Sequence, residues 1–111
     1  MATGRLGVAA ITTTADTTVY TVPASTFSVV TVNIVNRSSS TSADIRIAVA
    51  TSATPAANGS EYIEYDSELV ANGVLERTGI VMKTGELIVV QTPTATPSLS
   101  VVVMGIETST A

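Results

Sequence analysis

The segment Phe-Ser-Val-Val-Thr-Val-Asn-Ile-Val-Asn-Arg at 27–37 sets Val30, Val32 and Ile34 at alternate positions, with Thr31 and Asn33 between them. Side chains alternate across a strand with period two, so this run can bury one side of a sheet and wet the other. It stops at Asn36-Arg37-Ser38-Ser39-Ser40, a polar turn cluster. Residues 43–50 repeat the design, with Ile45, Ile47 and Val49 facing one way and Asp44, Arg46 and Ala48 the other. The short polar connection between the two predicts an antiparallel hairpin.

Other segments follow the same rule. Thr17 to Val22 alternates and is ended by Pro23, which cannot donate to a ladder. Glu61 to Asp66 reads as a short strand with Tyr62, Glu64 and Asp66 on one side and Ile63 and Tyr65 on the other. Asn72-Gly73 and Thr84-Gly85 are turn signals around a strand from Val74 to Lys83, with a break expected at Gly79. Residues 86–92 and 98–107 are apolar on both faces and need cover on both. No segment keeps a helical period over three turns. The expectation is a single all-β domain, an antiparallel β-sandwich of jelly-roll type with an extended N-terminal segment. The sandwich should run over 17–107, with 1–16 as an arm or first strand and 108–111 as a tail.

Composition narrows the function. The chain has no cysteine and no histidine, which removes thiol chemistry, Ser-His-Asp catalysis and the usual zinc ligand sets. A net charge of −4, with one lysine and dispersed arginines, opposes binding to nucleic acid. No window is apolar for the roughly 20 residues that a membrane helix requires, and the first residues lack the apolar core of a secretory signal. No cofactor is expected, no membrane partner, and no enzymatic activity.

The acidic group Glu61, Glu64, Asp66 and Glu68 has oxygens that calcium would accept, but it lacks the Asp-x-Asp-x-Asp-Gly loop, so a solvated acidic face is the expected reading. Arg77 is either an interface anchor or one half of an ion pair with a nearby acid. Val102, Met104 and Ile106 form a second apolar face on the last strand, which self-association would cover. With them, Arg5, Leu6, Val8 and Ile11 of the N-terminal segment complete the expected interface set. A carbohydrate site, if present, would lie on loops 51–60 and 92–97.

Six runs together resemble a known family. They are Val19-Tyr20-Thr21-Val22-Pro23-Ala24, residues 29–37, Ile45-Arg46-Ile47-Ala48-Val49-Ala50, Glu61-Tyr62-Ile63-Glu64-Tyr65-Asp66, Gly73 to Ile80, and Gly85-Glu86-Leu87-Ile88-Val89-Val90. The likeness is to small β-sandwich virion proteins of tailed bacteriophages, particularly those of cyanophages. The resemblance spans roughly 17–107 and implies a virion domain of the kind found as capsid decoration (cement) proteins and as modules of tail or fibre proteins. The short length, without an appended module, makes a decoration protein the expectation, made in the bacterial cytoplasm and mounted on the capsid exterior. The implied partners are the major capsid protein and further copies of the chain, as dimer or trimer. A tail, baseplate or fibre component and a host-surface carbohydrate-binding module are the alternatives. The resemblance carries no catalytic residue.

Overall fold

The computed structural model describes residues 2–110 and contains eight strands and no helix among them. In chain order they are β1 (Thr3–Ile11), β2 (Thr17–Thr21), β3 (Thr26–Asn36), β4 (Ala43–Ala50), β5 (Tyr62–Leu69), β6 (Val74–Met82), β7 (Leu87–Gln91) and β8 (Leu99–Ser109). They form two four-stranded sheets. The first has the order β1-β8-β3-β6 and the second β2-β7-β4-β5.

The pairing has a simple logic. β1 pairs with β8, β2 with β7, β3 with β6 and β4 with β5, all antiparallel. This is one long hairpin with its tip between β4 and β5. Rolling that hairpin adds the pairs β3–β8 and β4–β7 and splits it into two layers. The result is the eight-stranded jelly-roll sandwich that the alternation implied.

The expected β3–β4 hairpin does not form, because the two strands lie in opposite sheets. Both bury their apolar faces on one core from opposite sides, so the 37–42 connection has to span the interlayer distance. Asn36 builds this corner while almost fully buried. Its Nδ2 donates to the carbonyls of Thr41 and Leu69, and its Oδ1 accepts from Ser38 N–H.

The core is aliphatic: Val30, Val32 and Ile34 of β3, Ile45 and Ile47 of β4, Ile88 and Val90 of β7, and Leu99, Val101 and Val103 of β8. Branched side chains suit this setting because they pack tightly on a pleated surface. β1 closes one side of the sandwich. There a Cβ on Gly7 would lie 2.1 Å from the Val19 carbonyl oxygen, so only glycine lets the two edge strands approach. On the opposite side, Arg77 of β6 reaches Glu64 of β5 across the layers, with Nη1 to Oε2 at 2.6 Å. β6 runs unbroken through Gly79, which takes a positive φ of 69° in a bulge.

Residues 108 and 109 belong to β8 and not to a loose tail. Thr108 faces Phe27 and Ser109 faces Thr26, and Thr110 N–H donates to the Ser25 carbonyl. Ala111 lies outside the described residues.

Candidate functional site

Two surfaces stand out, one on each sheet. The outer face of the first sheet is apolar and bare. In β8, Leu99, Val101 and Val103 are buried while Val102 is half-buried and Met104 and Ile106 are exposed, as the alternation requires. Cross-strand register places Ile106 opposite Val29, and Val29 opposite Val81. In the neighbouring rows, Met104 lies opposite Thr31 and Arg5, and Val102 opposite Asn33 and Val8. Ile106, Val81 and Val8 are 55%, 70% and 53% exposed, and Phe27 and Val29 are exposed beside them. Large apolar side chains scattered singly need no explanation, but this many on one flat face do. The charges in these rows sit on the two edges of the sheet, Arg5 on β1 and Glu76, opposite Asn33, on β6.

The other expected interface residues lie elsewhere. Ile11 is 1% exposed, and Leu6 packs against the core, so neither presents an apolar surface to a partner. A bulge between Arg5 and Gly7 turns Leu6 inward while Arg5 and Val8 stay outside. Arg77 is occupied by Glu64, the ion-pair reading of that residue.

The second surface is the outer face of the other sheet. Here Ala48, Ala50 and Val89 are buried beneath Tyr62 and Leu87. The 51–61 loop folds back beside them. It is braced by Glu61, whose Oε1 accepts from Ala56 N–H at 2.8 Å and whose Oε2 accepts from Thr51 Oγ1. This supplies the outer cover that β7 needs.

β5 departs from simple alternation. Its register against β4 shifts twice, once on each side of the Ile47–Glu64 pair, and Asp66 adopts a positive φ of 54°. Aspartate tolerates this left-handed conformation better than most residues. The bulges place Tyr62 and Tyr65 together on the outer face, with ring centroids 5.1 Å apart at 77°. Arg46 of β4 then stacks over Tyr65 at 4.3 Å and pairs with Asp66 at 2.6 Å, while its Nη1 donates to Gln91 Oε1. Hydrogen bonding to Asp66 pushes the Arg46 pKa still higher, against the opposing effect of burial.

The same bulges disperse the acidic group. Glu64 turns toward Arg77 and Ser67, Asp66 toward Arg46, and Glu61 caps its own loop. Glu64 and Asp66 therefore do not share a face. No cluster of three or more metal-ligating side chains exists among the described residues.

Between the loop and the tyrosines lies a groove of about 660 Å³, lined by Asp16, residues 54–59, Tyr62 and Tyr65. Burial first, and then the Asp16 charge, raise the Tyr62 pKa above the ordinary phenol value, with Arg46 acting the other way. Residues 92–97 do not line this groove. Sequence reasoning missed the tyrosine pair because strict period two sends Tyr62 and Tyr65 to opposite faces; the aspartate at the bulge was the available signal.

Comparison of the chain with protein-family models, with curated proteins and with solved structures returns no match.

Proposed function

We propose that the protein is a structural component of a tailed-phage virion, a decoration protein that self-associates through the bare face of its first sheet and holds the major capsid protein from outside. The observation that carries this reading is the apolar row Ile106–Val29–Val81, flanked by Phe27, Met104 and Val8, which the described residues leave uncovered. The resemblance of residues 17–107 to small phage virion proteins supports the setting.

The occupant of that face is a second copy. Two such sheets packed face to face with aligned strands, related by a two-fold axis along the strands, bring β1 of each copy over β6 of the other. Arg5 then approaches Glu76 at both edges while the uncharged centres meet. The charge pattern is self-complementary, as an isologous contact requires.

Size sets the strength. Four strands at about 4.8 Å spacing and some eight residues at about 3.3 Å rise give a face of roughly 500 Å². Buried on both partners, that is about 1,000 Å², below the 1,200–2,000 Å² typical of stable complexes. A contact of this size is weak alone and effective in a repeating shell, where many linked copies add avidity.

Sedimentation of the isolated chain tests the contact, with a concentration-dependent dimer expected and its loss expected for Val29→Asp. Electron cryo-microscopy of the particle tests the setting. Copies following icosahedral symmetry support a decoration protein, whereas copies confined to the tail overturn it.

A further inference from the structure

We propose that the groove on the second sheet is a binding site for a neutral saccharide, independent of the face used for assembly. Four features argue for this ligand class. Tyr65 is 58% exposed yet held in place by its edge contact with Tyr62 and by the Arg46 guanidinium at 4.3 Å. A fixed, exposed ring offers a flat apolar platform at little entropic cost, as tyrosine does in other recognition surfaces. Around it stand polar groups free to meet hydroxyls. The Asp16 carboxylate has no hydrogen bond or ion pair among the described residues. Asn58 uses its Oδ1 for Ser60 N–H, and its Nδ2 hydrogens have no partner among the described residues. The volume of about 660 Å³ falls within the range for small-molecule sites.

Charge decides against other ligands. Among the described residues that line the groove only Asp16 is charged, and the chain carries a net −4, so phosphate and sulfate groups are repelled. A ligand cation would be drawn to the tyrosine faces, but Arg46 already serves as the cation on Tyr65. A quaternary ammonium would also leave most of the groove empty. Uncharged hydroxyls on a flat ring satisfy the acid, the amide and the aromatic platform together.

The experiment is a glycan array with the full chain, followed by titration calorimetry with each neutral oligosaccharide bound. Saturable binding is expected, lost in Tyr65→Ala, kept in Tyr65→Phe, and weakened at least tenfold in Asp16→Asn. Val29→Asp, on the other sheet, should bind as the parent does, which separates this site from the assembly face. Circular dichroism confirms that each variant is folded. Absence of binding to any neutral glycan, unchanged binding by Tyr65→Ala, or preference for choline or phosphorylated ligands would overturn the proposal.

Discussion

The Tyr20 hydroxyl on β2 donates to Glu107 Oε2 on β8 at 2.6 Å, so one hydrogen bond joins the two sheets near the chain termini. Glu107 Oε1 also accepts from Ala2 N–H, and its own N–H donates to the Ala2 carbonyl. Burial, then this bond, push the Tyr20 phenol up to about 12. A phenol whose pKa is raised on folding contributes stability in full below its unfolded value of 10. That contribution is lost as pH rises through about 12, because the unfolded chain releases its proton first. The loss is on the order of 2 kcal/mol. Denaturant unfolding between pH 8 and 12 should show it, and Tyr20→Phe should reduce the alkaline slope. Tyr62 contributes with the same sign, so the slope should shrink and not vanish. At pH 7, Tyr20→Phe should cost about 1.5–3 kcal/mol, as loss of a hydrogen bond to a charged group does.

Gly7→Ala places a methyl group against the Val19 carbonyl oxygen, where only 2.1 Å is available. The β1 and β2 edges must separate to admit it. Overpacking of this kind costs about 1–3 kcal/mol. Thermal melts should show a clear fall, and hydrogen exchange should localise the loosening to β1.

Arg77→Ala removes the cross-layer pair with Glu64. The arginine side chain is 41% exposed, so solvent screens the interaction. A cost of no more than about 1 kcal/mol is expected, shrinking in high salt. A loss of several kcal/mol in urea unfolding would mean that this tie holds the sandwich closed.

Val29→Asp should leave the melting temperature nearly unchanged, since exposed positions tolerate substitution within about 0.5 kcal/mol. On the proposed role, it should also abolish self-association in sedimentation and lower occupancy on the particle. Retained dimer would remove the bare sheet face from the assembly contact.

Calcium should not shift the melting temperature, because Glu61, Glu64 and Asp66 are separately engaged. A rise on millimolar calcium would show that these pairs rearrange around an ion.

Much of the fold was legible in residues with strict period two. β3 and β8 bury the side chains their alternation selects, and β7 is covered on both faces as its sequence demanded. β4 follows its alternation at Ile45 and Ile47, while Val49 is half-buried and Ala48 is buried on the outer side. Strand partners were less legible. Residues 37–42 have the length and polarity of a hairpin loop, yet they cross between layers, and only long-range pairing with β6 and β8 decides that. The candidate groove was hidden for a different reason. A bulge of one residue reverses every later side chain, and the sequence marks it only by a residue tolerant of positive φ such as Asp66. The bare face, by contrast, was visible in Val102, Met104 and Ile106 before any pairing was known.

The partnership of β1 with β8 has a consequence for the speed of folding. Its register joins Thr3 to Ile106 and Ile11 to Leu99, so the ladder closes only after nearly all the strands between have been drawn together. Contacts of such long sequence separation cost loop-closure entropy before they stabilise anything, so refolding should take on the order of milliseconds to seconds despite the small size of the domain.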